Sequence, residues 1–105
     1  MNVMGPDNKA PVFDALHIPP AAVEQGGVEV LRAVIIDGAL HVSLRRAFDE
    51  PEPWGMLVAD VVRHVSRLYA MESKLTEEHV LHRVMTLLLQ EMENPTDPGT
   101  TSAIS

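Results

Sequence analysis

The residues best suited to chemistry lie on one predicted helix. Asp60, His64 and Arg67 follow one another at spacings of four and three residues, so a helix places them along one edge. A carboxylate that orients an imidazole is a common arrangement in general acid–base catalysis. Together with Trp54, earlier on the same helix, these residues form a candidate site for a small ligand.

The same spacing also produces an ordinary pair on a helix surface, worth about 0.2–0.5 kcal/mol. The sequence contains no G-x-S-x-G turn to present a nucleophile, no P-loop and no G-x-G-x-x-G motif. We therefore predict no catalytic residue. A ligand-binding protein or enzyme that uses this edge is kept as the alternative function.

Two further histidines have the spacing of metal ligands. His79 and His82 lie three residues apart on a second predicted helix. They are opposite the apolar side of that helix, however, and a metal would need ligands from elsewhere in the chain. We predict that both side chains are exposed and that the protein has no metal site and no cofactor.

Several basic residues belong to a predicted β-hairpin. Arg32, His41, Arg45 and Arg46 lie on or beside it, but no aromatic side chain accompanies them as a platform for stacking bases. The whole chain has a formal net charge of −7, which opposes binding to nucleic acid and to anionic membranes. We predict neither a nucleic-acid partner nor a membrane partner.

The composition is that of one small globular protein of 105 residues, with 46% hydrophobic and 22% charged residues. The absence of cysteine fits a reducing compartment. The N-terminus lacks the apolar run of a signal peptide, and no segment approaches the length that spans a bilayer. We predict a soluble, cytoplasmic protein.

Two amphipathic helices are predicted to carry the residues named above. The first begins near Pro51 and Pro53, with Asp49 or Glu50 as its cap. The second begins at the N-cap residue Thr76, and its apolar side is broad enough to touch two neighbours. The apolar stripe of the first helix consists of Trp54, Leu57, Val58, Val61, Val62, Val65, Leu68 and Tyr69.

Residues 32–46, with the sequence RAVIIDGALHVSLRR, predict a β-hairpin. Asp37-Gly38 suits a type I′ turn, in which both central residues have positive φ. The resulting register gives one wholly apolar face, which we expect to lie against the first helix. The other face is more apolar than a surface exposed to water requires. It forms our candidate interface, which consists of Val30, Arg32, Val34, Ile36 and His41.

These elements predict an α+β fold, in which a β-hairpin, with room for a further short strand, is packed against two antiparallel helices. We expect a single domain over residues 13–94. Residues 1–12 and 95–105 are rich in Pro, Gly, Ser, Thr, Asn and Asp, so we predict disordered tails there.

Four motifs follow one another along the chain: His17-Ile18-Pro19-Pro20, His41-Val42-Ser43-Leu44-Arg45, Trp54-Gly55-Met56, and Asp60 with Arg63-His64. Through them, residues 16–92 resemble a bacterial family known as a domain of unknown function, number 5076. The resemblance implies a bacterial protein of that family. It implies no activity, because the family has no established activity to carry over.

The apolar outer face of the hairpin leads to the favoured function. Two-fold association of two copies would bury Val30, Val34 and Ile36 against the same residues of the second copy. We therefore predict a non-enzymatic interaction module that acts through a homodimer or another protein partner. Two other covers for this face stay open: the segment LHIPPAAV can fold back over it, or a third short strand can pair beside the hairpin.

Overall fold

The computed structural model describes residues 11–97 and 99–104, whose elements confirm an α+β fold. In chain order these are α1 (Pro20–Gln25), β1 (Leu31–Ile36), β2 (Ala39–Arg45), α2 (Glu52–Glu72), α3 (Glu77–Glu93) and β3 (Thr100–Ile104). They form two compact units, which we describe separately: a sheet unit with α1 and the strands, and a helical unit with α2 and α3. The predicted packing of the hairpin on the helices stays a prediction.

Asp37 and Gly38 join β1 to β2 as the sequence predicts. Their φ angles are 50° and 81°, and a type I′ turn requires positive values at both positions. The antiparallel register places Ile36 opposite Ala39, next to the turn. This is the predicted register, so the wholly apolar face and the mixed outer face have the expected composition.

A third strand completes the sheet in the order β1-β2-β3, so β1 and β3 are its edges. β3 runs parallel to β2, with Thr100 beside His41. It lies within residues 95–105, where the sequence analysis predicts a disordered tail. Its threonines favour a strand, but the partner strand lies far away in the sequence, and no local pattern reveals such a pairing.

The other predicted tail is described only in part. Residues 1–10 lie outside the described residues, and residues 11–19 have no helix or strand. The short helix α1 follows, which the sequence analysis does not predict. Pro20 is its first residue, where the missing N–H of proline costs little.

Gly99, the residue before β3, approaches β2 closely. Its φ angle of +65° is in the left-handed region that favours glycine. A Cβ atom at this position would lie 2.6 Å from the carbonyl oxygen of Leu40, which is a backbone atom and has little room to move. Glycine therefore permits the chain to enter the sheet here.

We predict that Gly99→Ala loosens β3 from β2, because both the φ angle and the Leu40 oxygen oppose a Cβ atom. We expect the pairing of β3 with β2 to lose about 1–2 kcal/mol of free energy. Amide hydrogen exchange measures this loss as lower protection of the backbone N–H groups of residues 100–104. Gly55→Ala is the control, because nothing lies within 4 Å of a Cβ atom at Gly55. Unchanged protection in Gly99→Ala would contradict this role of the glycine.

α2 and α3 contact each other through a small core. Its buried residues are Val62, Ser66 and Val80, and Ser66 is fully buried. The Ser66 hydroxyl donates a hydrogen bond of 2.9 Å to the carbonyl oxygen of Val62, so it needs no partner on α3. At the surface, an ion pair of 3.3 Å between Arg67 Nε and Glu77 Oε1 links the two helices.

The two long helices begin in different ways. Thr76 caps α3 as predicted, since its hydroxyl oxygen accepts a hydrogen bond of 3.1 Å from the backbone N–H of His79. The N-cap position of α2 is Pro51, without a side-chain cap, so the prediction that Asp49 or Glu50 caps this helix is wrong. Pro51 already has helical backbone angles, with φ −76° and ψ −23°, which places the helix start beyond both acidic residues.

α3 ends beside a carboxylate that binds the following segment. The backbone N–H of Thr96 donates to Glu91 Oε2 at 2.9 Å, and the Thr96 hydroxyl donates to Glu91 Oε1 at 2.8 Å. The backbone hydrogen bond, followed by the side-chain one, lowers the pKa of Glu91 below its ordinary value of 4.5. Both bonds hold residues 94–96 against the last turn of the helix.

We predict that Thr96→Ala raises the pKa of Glu91 from its depressed value, because one of the two hydrogen bonds is lost. Since the folded-state pKa is depressed, the stabilisation from these bonds is present above the ordinary pKa and is lost as the pH falls through the lowered one. A carboxyl NMR titration measures the pKa values. Thr96→Ser keeps the hydroxyl and should match the wild type, whereas equal values in all three proteins would rule out the side-chain bond.

Candidate interaction surface

The structure brings the five predicted interface residues together on one face of the hairpin. Val34 lies opposite His41, and Arg32 and Ile36 occupy alternate positions of β1 on the same face. Val30 continues the series, because its carbonyl oxygen accepts a ladder hydrogen bond from β2 at 3.0 Å. Ile36 is 49% exposed, whereas Val30, Val34 and His41 are half-buried. The role of this outer face as an interface stays a prediction.

One end of the outer face carries a connected set of polar contacts. The Arg32 guanidinium donates two hydrogen bonds to the Glu29 carboxylate, at 3.1 and 3.0 Å. The Phe13 ring lies 5.5 Å from the same guanidinium, a cation–π contact. Arg45 Nε donates to the carbonyl oxygen of Glu29 at 3.3 Å. Both cations of this end are therefore engaged within the chain.

A cavity of about 180 Å³ opens beside these contacts, between residues 29–32 and residues 43–45. Sites for small molecules usually have volumes of about 300–1,000 Å³. The cavity is therefore a groove at the open end of the hairpin rather than a pocket of ordinary ligand size.

The two alternative covers for the outer face have different outcomes. The third strand is present, but it pairs with β2 and leaves β1 at the edge of the sheet. In the N-terminal segment, Phe13 reaches Arg32 while remaining 56% exposed, and Leu16 and Ile18 are 95% and 66% exposed. This segment therefore leaves its own apolar side chains exposed rather than burying them on the hairpin.

The residues of the candidate ligand site lie along α2 without forming a cluster. From Trp54 to Arg67 the distance is about 20 Å along the helix axis, at about 1.5 Å per residue. Trp54 packs edge-to-face on Phe48, with ring centroids 5.8 Å apart. Asp60 and His64 are exposed, and within the described residues no hydrogen bond joins them. Arg67 is engaged by Glu77, an ion pair that the sequence analysis did not identify.

The helical unit exposes apolar side chains on both helices. At about 100° per residue, Leu89 lies opposite the buried Val80 around α3, and it is 57% exposed. Each helix thus has an apolar side beyond the one that meets its neighbour, which agrees with the broad stripe expected for the second helix. The exposed members are Met56, Val58, Val61, Leu68, Tyr69 and Met71 on α2, and Met85, Leu87, Leu89 and Met92 on α3.

His79 and His82 are exposed, as the sequence predicts. Among residues 11–97 and 99–104, no group of three or more His, Asp or Glu side chains is arranged to hold a metal ion. Over that same part of the chain, no helix combines the length and the apolar character needed to cross a membrane.

Comparison with known families confirms the resemblance seen in the motifs. Residues 15–96 match the family described as "Domain of unknown function (DUF5076)". The chain belongs to the DUF5076 family. No curated protein matches it significantly.

Among solved structures, this DUF5076 protein is similar to one described as the "Structure of a putative pyruvate dehydrogenase from the photosynthetic bacterium Rhodopseudomonas palustrus CGA009". The two sequences are 38% identical, and the match covers 90% of this chain and 98% of the other. The TM-score is 0.70, so the fold is shared over most of both chains.

Proposed function

We propose that this DUF5076 protein is a non-enzymatic interaction module, which acts by forming a homodimer through the outer face of its hairpin or by binding another protein. The observation that carries the proposal is the small buried core. Among the described residues only Val62 and Val80 are buried apolar side chains, whereas eighteen large apolar side chains are exposed. The proposal includes a cytoplasmic location in a bacterium. It does not include a cofactor.

Energetics support association. Removing one large apolar side chain from water stabilises a protein by roughly 1.5–3 kcal/mol, and a small chain with few buried side chains lacks this contribution. Contiguous apolar patches that remain exposed commonly mark protein–protein interfaces. Val30, Val34 and Ile36 lie on one face of the hairpin, and a second copy related by a two-fold axis would offer the same apolar surface to it.

We expect light scattering to give the mass of a dimer over a range of protein concentrations. Val34→Lys should shift the mass to that of the monomer, because it places a charge within the apolar outer face, while far-UV circular dichroism shows the helices still folded. Glu78→Lys is the control: it adds a lysine at an exposed position of α3, outside this face, and should stay dimeric. A monomeric wild type at all concentrations would remove the homodimer from the proposal.

The alternative is a small-ligand binder or enzyme that uses Asp60, His64 and Arg67 near Trp54. The description of the Rhodopseudomonas protein as a "putative pyruvate dehydrogenase" is the reason to test an enzyme as the alternative. Two observations oppose this site here: Arg67 is paired with Glu77, and the residues extend over about 20 Å of one helix.

We predict that pyruvate, added to the isotope-labelled protein, leaves the amide NMR signals of residues 54–67 unchanged, because these residues form no common cleft. His64→Ala is the control, because a shift of amide signals that depends on this site should be absent from the variant. Saturable shifts in the wild type that are absent from His64→Ala would favour the enzyme or ligand-binding alternative instead.

A further inference from the structure

The outer edge of β1 presents a regular set of backbone donors and acceptors. In a two-residue hairpin the pair next to the turn, here Ile36 and Ala39, exchanges hydrogen bonds, and bonded and non-bonded pairs then alternate. The bond from Arg45 to the carbonyl oxygen of Val30 follows this alternation. The N–H and C=O groups of the intervening residues point away from β2. These residues are Leu31, Ala33 and Ile35.

Nothing in the described chain pairs with this edge. β1 has β2 as its neighbour in the sheet, and β3 occupies the far side of β2. Within residues 11–97 and 99–104, no backbone hydrogen bond beyond those of the hairpin reaches Leu31, Ala33 or Ile35. Three N–H and three C=O groups therefore remain for another strand.

We propose that two copies of the protein pair through their β1 edges, antiparallel, with the two-fold axis at Ala33, to form one continuous six-stranded sheet. The inference rests on the proposed homodimer but places its contact at the β1 edge, so that the outer faces of the two copies lie side by side instead of packing on each other. In this register Ala33 exchanges two hydrogen bonds with the partner's Ala33. Leu31 exchanges two with the partner's Ile35, and Ile35 two with the partner's Leu31. All six edge groups are then bonded.

The side chains also suit this register. On the apolar face Leu31 lies beside the partner's Ile35, and on the outer face Arg32 lies beside the partner's Val34. The ends of the ladder bring Glu29 opposite the partner's Asp37, a like-charge pair. Arg32 neutralises Glu29 through the two hydrogen bonds at 3.1 and 3.0 Å, so the repulsion at each end is reduced.

A second copy suits this edge better than a segment of the same chain. β1 lacks most of the devices that protect edge strands: its sequence LRAVII has no proline, no lysine and no inward-pointing charge, and its one charged residue, Arg32, is paired with Glu29. Within residues 1–10, the types Gly5, Pro6, Asp7 and Asn8 are disfavoured in strands. The edge of β1 is self-complementary, since an antiparallel copy presents the same groups in reverse order.

The decisive variant is Ala33→Pro. Proline removes the N–H of Ala33, which points away from β2, so the hairpin loses no hydrogen bond of its own. We expect the mass by light scattering to fall from dimer to monomer, while circular dichroism and thermal unfolding show a folded protein. Ala33→Ser, which keeps the N–H, should remain dimeric.

A cross-link provides a second readout if Ala33→Pro fails to fold. The chain has no cysteine, so a single introduced thiol can bridge only to its own copy. In Ala33→Cys the two Cα atoms would lie about 5.5 Å apart, which is within disulfide range. Mild oxidation should therefore give a covalent dimer. In Val42→Cys, opposite Ala33 on β2, the Cα atoms would be about 14 Å apart, three strand spacings, and should not cross-link.

The outcomes separate this inference from the proposed function. A wild-type dimer that Ala33→Pro dissociates, or that Ala33→Cys cross-links while Val42→Cys does not, supports pairing of the β1 edges. A dimer that persists in Ala33→Pro and shows no cross-link in Ala33→Cys overturns edge pairing and leaves the homodimer standing, with Val34→Lys to locate its face. A wild type that is monomeric at every concentration overturns edge pairing and the homodimer together, and leaves only binding to another protein in the proposed function.

Discussion

The positive φ angles of Asp37 and Gly38 determine most of what the sheet unit can do. They close a two-residue turn, and this turn fixes which residue of β2 lies opposite each residue of β1. A shift of one residue would move every side chain to the opposite face. The same register also determines which backbone N–H and C=O groups of β1 point away from β2. The composition of both faces and the chemistry of the edge therefore depend on two backbone conformations.

The helical unit depends on a different constraint, the space available between α2 and α3. The most buried side chain there is Ser66, a small polar residue whose hydroxyl bonds to its own helix. Small residues let two helices approach closely, but they contribute little apolar burial. Among the residues of α2 and α3, only the apolar side chains of Val62 and Val80 are buried, whereas ten large apolar side chains are exposed. The broad exposure of the unit thus follows from the small size of its core.

Two local signals in the sequence predicted local structure correctly, whereas the predicted cap of α2 at Asp49 or Glu50 was wrong. Asp37-Gly38 gave the hairpin with its register, and Thr76 gave the start of α3, because both act on neighbouring backbone groups. β3 was predicted as a tail, since its pairing with β2 depends on residues far away in the sequence. The burial of Ser66 was not predicted, because the periodicity of apolar residues identifies only apolar side chains as buried.

The candidate sites show the same division. The residues of the outer face were predictable because alternation along a strand fixes them. Asp60, His64 and Arg67 lie on one helix, as their spacing predicted. Spacing along one helix, however, does not show which residues of the neighbouring helix contact them. Glu77 binds Arg67 from α3, and only the pairing of the helices reveals this.

The order of the strands along the chain also affects the order in which they join the sheet during folding. The contacts of the hairpin and of the helix pair join residues that are near in sequence, and such contacts form quickly. The pairing of His41 with Thr100 closes a loop that contains both long helices, at an entropic cost that local contacts do not have. The third strand should therefore be the last element to join the sheet during folding. Until it does, β2 presents an unpaired edge of its own, and the species most prone to wrong association is the one that still lacks this strand.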